Sequence, residues 1–445
     1  MNRNMTIDRG SITAVILAGI AFSVAFFYRD FTKINVGPLF ALEIAALLAL
    51  LGISVGLITH KTWRHLFPLV LLNAFAAYGI IRLALDFLTL DDFPLRSALQ
   101  RAVLFVYPAL WIGIGHALAR QEGRASKWIV AATCLGAGLG ALLFPPEFNP
   151  KFNMLWVRHN LSLGPLFCVP ALFLLREGIF PLKGPKNFLL LGAAVALFFL
   201  SFFPIVRLWS ESMQRTSLLL CAFLLLSLPF LVGRNLRERA SLVSVGVGLF
   251  LLANLSFIFV YSGQKLERIT NALNHSDDLP QPGLVESNSY FQGRFRAFAW
   301  QDAFSLWESS PLLGVGFTIS VPQEILPGVK NDGSHPSFRL TPSGGYTEKL
   351  PPVSGPHNSY LSILARMGLL GFSLFLLAAF EWAWRSRGIW RASQESWVDV
   401  ALLAIIACSA IYAFLNIGFE SPHNSVLLWL AAGLALGRHT ALESQ

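Results

Sequence analysis

Twelve apolar runs, most near the length needed to cross a bilayer, constrain this chain more than any other feature. They fall at approximately 11–28, 36–59, 66–85, 102–119, 128–145, 161–175, 187–206, 216–232, 240–261, 358–380, 398–416 and 425–437. A bilayer core about 30 Å thick requires roughly 20 apolar residues of helix, because backbone groups inside it must be hydrogen-bonded within the segment. With 54% of the 445 residues hydrophobic and 13% charged, a soluble enzyme with a membrane tail is excluded. The expectation is an all-α integral membrane protein of about 12 transmembrane helices. The first run lacks a cleavage site and is followed by many others, so it is expected to be retained. Cys134, Cys168, Cys221 and Cys408 all lie in apolar runs, so no disulfide framework is expected.

An even number of spans places both termini on one side. With the amino terminus inside, the cytoplasmic segments hold 17 Lys and Arg residues and the short outer loops hold 8. The positive-inside bias therefore puts both termini in the cytoplasm. The net charge of +9 reflects this bias, and no nucleic-acid partner is expected. The organisation that follows is 1–210 amino-terminal transmembrane helices, 211–261 the eighth and ninth spans, 262–356 one large outer loop, and 357–445 the carboxy-terminal spans. The loop carries seven Lys and Arg against nine Asp and Glu. Within it, 274–289 reads as a turn-rich connector, Phe291–Ser310 as a helix, and 327–356 as a flexible flap.

Where that loop ends, Pro356–Gly371 opens a hydrophobic helix. Positions 357, 361, 364, 368 and 371 share one helical stripe, headed by His357 and lined by Leu361, Leu364, Gly368 and Gly371. The glycines are expected to let a neighbouring helix approach closely. Asn358 falls in the first turn, where unpaired N–H groups and the positive dipole end favour an anion. Two readings stand side by side: a reaction centre built on an imidazole at an anion-binding helix start, or a His–Asn pair that caps a transmembrane helix. Pro-His-Asn-Ser recurs at 356–359 and 422–425, a match short enough to arise by chance.

Arginines in or beside a bilayer require a reason. Arg215, Arg158, Arg294 and Arg296 are expected on the outer side with His357. Forked N–H donors there suit a phosphate or diphosphate, with the imidazole acting as a base near neutral pH. Lipid-headgroup anchoring is the competing role for each. Arg82 and Arg366 read instead as buried struts or ion pairs, with Glu43 an available partner. The chain has no Asp-x-Asp pair in an outer loop, and no H-E-x-x-H, C-x-x-C or P-loop. No metal and no cofactor is expected, so an enzyme here must use a substrate already activated and already in the membrane.

Three pieces resemble the O-antigen ligase/polymerase family of bacterial envelope glycosyltransferases. His357-Asn358, nine residues, Gly368, two residues and Gly371 fit the family's H-[NSQ]-x9-G-x-x-G signature. Arg296-x3-Trp300 followed by Ser310-Pro-Leu-Leu-Gly-Val-Gly316 resembles its R-x3-W…hPlxGvG stretch. Arg215 resembles the arginine of an S-R-x-x-x-L element, with Gln214 in place of the serine. The resemblance covers about 210–437.

It implies a membrane-embedded glycosyltransferase in the bacterial inner membrane, with its active site facing the periplasm and the large loop periplasmic. The implied reaction is a metal-independent, inverting transfer from an undecaprenyl-diphosphate-linked glycan, with His357 as base and Arg215 and Arg296 on the diphosphate. Three acceptors compete: the lipid A–core saccharide (ligase), another lipid-linked repeat (polymerase) and a protein serine (oligosaccharyltransferase). One large loop before the histidine helix favours the ligase. A lipid-linked sugar transporter, from another class, would show paired broken helices in two related halves, which the sequence does not.

Overall fold

The computed structural model describes residues 9–27, 35–36, 39–40, 67–89, 95–121, 123–143, 147–149, 154–156, 215–248, 299–318, 338–340, 346–349, 358–392, 396–416 and 418–442. It also describes the isolated positions 169, 172, 176, 192, 251–252 and 356. The helices are α1 (Arg9–Phe27), α2 (Phe67–Thr89), α3 (Leu95–Gln121), α4 (Gly123–Leu143), α5 (Arg215–Val232), α6 (236–248) and α7 (299–309). They continue with α8 (Ser359–Arg385), α9 (Arg387–Ala392), α10 (Trp397–Leu415) and α11 (Pro422–Leu442). Three two-stranded antiparallel hairpins accompany them: β1 (Asn35–Val36) with β2 (Leu39–Phe40), β3 (Glu147–Asn149) with β4 (Met154–Trp156), and β5 (Phe338–Leu340) with β6 (Tyr346–Lys349).

Four helices among the described residues are long and apolar enough to cross a membrane: Pro68–Thr89, Arg101–Arg120, Ser359–Arg385 and Trp397–Leu415. Thr13–Phe27, Ala222–Val232 and Asn424–Arg438 are shorter apolar helices. The protein is thus a helical, multi-pass membrane protein. Large apolar side chains exposed on α2, such as Ile80, Ile81, Phe87 and Leu88, have the composition of a lipid-facing surface.

The packing follows from small residues, since apolar side chains gain little by leaving lipid for protein. α3 and α11 touch backbone to backbone. A β-carbon on Gly115 would come within 2.5 Å of the Leu430 carbonyl oxygen, and one on Gly433 within 2.3 Å of that of Ile112. Gly136 on α4 meets the Phe22 carbonyl of α1 in the same way. α11 is consequently buried along most of its length, from Val426 to Leu436. Arg438 near its end forms a two-pronged ion pair with Asp399 on α10, at 2.7 and 3.1 Å.

Helix α8 departs from the straight stripe read from the sequence. Gly368 has φ 63° and ψ −168°, so α8 is two helical pieces joined at a break. The break lies nine residues past Ser359, about 14 Å along the axis. Gly368 does not face a helix, as expected from the stripe, but an irregular segment at 311–317. Gly371 meets the Met367 and Tyr78 side chains.

Candidate functional site

Segment 311–317 follows α7 and supplies the backbone groups that the α8 break leaves unpaired. Val315 N donates to the Ala365 carbonyl at 2.9 Å and Gly316 N to that of Arg366 at 3.0 Å. In return, Leu369 N donates to the Pro311 carbonyl at 2.8 Å and Leu370 N to that of Leu312 at 3.2 Å. Irregular backbone at such depth is tolerated only where protein satisfies it. Gly314 (φ 72°) and Gly316 (φ 86°) adopt left-handed conformations there, which glycine enters without steric cost. The two stretches carrying the resemblance are therefore stitched into one structure.

The opposite side of the segment is held by α2 and α3. The Tyr78 hydroxyl donates to the Leu313 carbonyl at 3.0 Å, and Arg82 Nη2 to that of Gly314 at 3.1 Å. The Asp86 carboxylate accepts from Phe317 N at 2.6 Å, while Arg101 Nη1 donates to the Phe317 carbonyl. Arg82 and Asp86 are 3.7 Å apart on successive turns of α2. The ion pair expected for Arg82 is therefore made within its own helix; Glu43 lies outside the described residues. Arg366 is fully buried and within electrostatic reach of Arg101, Glu420 and Asp86.

At the head of α8, Asn358 is the N-cap. Its Oδ1 accepts from Tyr360 N at 3.0 Å and Leu361 N at 3.2 Å. Capping satisfies donors that an anion would otherwise meet, so any substrate contact by this residue falls to its Nδ2. The cap is anchored to the turn between α10 and α11, where Phe419 N donates to Ser359 Oγ at 3.0 Å. The Phe419 ring lies 5.0 Å from that of Tyr360 and 5.2 Å from that of Trp429. In the second Pro-His-Asn-Ser, α11 begins at Pro422, so Asn424 is already inside the helix and the two copies are not equivalent.

Next to this turn, Glu420 is buried. Burial pushes its carboxyl above the usual glutamate range, against the opposing pull of Arg366, the Ser362 hydroxyl and Arg101.

Of the residues expected to form the site, Asn358 has a described side chain. Arg215 is the first residue of α5, where the sequence places it, and its side chain lies outside the described set. His357, Arg158, Arg294 and Arg296 lie outside the described residues. Trp300, the tryptophan of the R-x3-W stretch, packs on Phe414 of α10 with ring centroids 6.0 Å apart. Asp86, Arg101 and Glu420 did not emerge as a cluster from the sequence. The available signal was an ionisable residue in or beside an apolar run, read together with Arg82 one turn before Asp86.

The curated proteins contain no match to this chain. Residues 196–376 match the family model described as O-antigen ligase. That span begins before α5, includes α7 and segment 311–317, and ends within α8 beyond Gly371. The chain thus carries an O-antigen ligase-family domain, and the stitched segments belong to it.

Proposed function

We propose that the protein is an O-antigen ligase, transferring a glycan from undecaprenyl diphosphate to the lipid A–core saccharide at the periplasmic face of the inner membrane. The observation that carries this reading is the family match over 196–376, within which the segment after Trp300 and the helix after His357 are hydrogen-bonded to one another.

His357 takes the proton of the acceptor hydroxyl as that oxygen attacks the anomeric carbon. The bond from the anomeric carbon to the diphosphate oxygen breaks, its electron pair leaves with the diphosphate, and the configuration inverts. Arg215 and Arg296 hold the diphosphate and offset its growing charge, with Arg294, Arg158 and the Asn358 amide as further contacts. Preorganised cations at a leaving group contribute several kcal/mol, and a positioned base about 10²–10⁴-fold in rate. Neither role requires a metal or a cofactor.

A strain lacking the protein is expected to accumulate long lipid-linked polymer and to carry lipopolysaccharide without it. Lipopolysaccharide bearing single attached repeats would identify a polymerase instead.

A further inference from the structure

Two transmembrane helices aim charged side chains at a single residue of the buried segment. Asp86 on α2 accepts from Phe317 N, and Arg101 on α3 donates to the carbonyl of the same residue. Both side chains are buried, and the Phe317 ring packs 5.0 Å from that of Phe105 on α3. Burying full charges costs several kcal/mol each, and apolar residues of similar volume hold helices together at least as well. What a charge-assisted donor and acceptor on one residue provide is register, since the segment binds in one place along α2 and α3 and nowhere else.

That register reaches the chain ends from which the reacting side chains depart. α7 leads through Ser310 into the segment, and its Ala303 and Leu306 pack on Ala365 of α8, with Val315 and Leu361 beside them. In the sequence, Arg296 stands three residues before Ala299. His357 directly precedes the cap residue Asn358 in the sequence. We infer that Asp86 and Arg101 are positioning residues, clamping Phe317 so that the α7 stretch and the head of α8 meet in the geometry for transfer. This inference rests on the glycosyl-transfer reading.

Asp86→Asn keeps an oxygen for Phe317 N, Asp86→Leu removes it, and Arg101→Lys and Arg101→Leu make the corresponding pair. In proteoliposomes with lipid-linked glycan and lipid A–core, the leucine variants are expected to turn over at least about 10-fold more slowly at saturating donor. A misplacement near 1 Å costs on the order of 10²-fold. Donor affinity should stay within about threefold of the wild type, and the asparagine and lysine variants should recover most of the rate.

A second readout needs no turnover. Cysteines at Ala303 and Ala365, in a background without the four native cysteines, should cross-link readily. The yield should fall with Asp86→Leu and return with Asp86→Asn. Wild-type turnover in Asp86→Leu overturns the inference. So does a loss of turnover that only tracks folded protein while the cross-link is unchanged. A wild-type protein that transfers no glycan overturns the glycosyl-transfer reading and the catalytic role together, and a cross-link still dependent on Asp86 then identifies the clamp as purely structural.

Discussion

Gly314 and Gly368 lock each other in place: a β-carbon on Gly314 would lie 2.5 Å from the amide nitrogen of Gly368, and one on Gly368 would lie 2.5 Å from that of Gly314. Both have positive φ. One belongs to the segment that follows α7 and the other to α8, so each glycine is required by the other's backbone.

Gly314→Ala and Gly368→Ala should each destabilise the protein beyond the about 1–2 kcal/mol that a left-handed alanine costs on its own, because the β-carbon also meets backbone. Gly113→Ala is the control, since nothing lies within 4 Å of the added atom, and it should be neutral or stabilising by up to about 1 kcal/mol. Thermal unfolding of purified protein in detergent tests this. A Gly368→Ala melting curve matching the wild type would remove the lock.

The cap at Asn358 should contribute about 1 kcal/mol to the first turn of α8. Asn358→Ala is expected to speed hydrogen exchange at the Tyr360 and Leu361 amides, which donate to Oδ1. Asn358→Ser or Asn358→Asp should restore protection. Exchange unchanged in the alanine variant would show that Oδ1 carries no load.

Glu420 should make stability fall as pH rises above the ordinary glutamate value. Its carboxyl is raised chiefly by burial, so the folded state binds the proton more firmly than the unfolded one. The contribution is fully present below the ordinary glutamate value and is lost as pH rises through the raised value. Glu420→Gln should flatten that decline in melting temperature above the ordinary glutamate value. An unaltered slope would mean that Arg366 and Arg101 outweigh burial and hold Glu420 ionised.

Arg215→Ala and Arg296→Ala should weaken binding of the lipid diphosphate. A hydrogen bond to a charged group contributes about 1.5–3 kcal/mol, which corresponds to about 10–100-fold in affinity for each. Titration with an undecaprenyl-diphosphate analogue measures it, and wild-type affinity in both variants would make these arginines structural.

The spans were legible where hydropathy is sharply bounded. The run at 66–85 became Phe67–Thr89, and that at 398–416 became Trp397–Leu415. Helical spacing in the loop pointed to α7, of which 299–309 is described. The break in α8 was not legible, because the run stays apolar on both sides of Arg366 and Gly368 and periodicity carries no information about φ. Nor was the Phe317 clamp, whose partners Asp86 and Arg101 are separated from it by 231 and 216 residues. Counting charges placed Arg101 in an outer loop, whereas it is buried in α3. Asn358 drew attention as an anion site, and its oxygen caps the helix.

The most direct test of the account is transfer by purified protein in proteoliposomes, supplied with undecaprenyl-diphosphate-linked glycan and lipid A–core, with chelator present. The wild type should form the joined product with inverted configuration, and His357→Ala should bind donor normally while forming product about 10²–10⁴-fold more slowly. Product formation by His357→Ala at the wild-type rate would contradict the imidazole's role, and no product from the wild type would contradict the reaction itself.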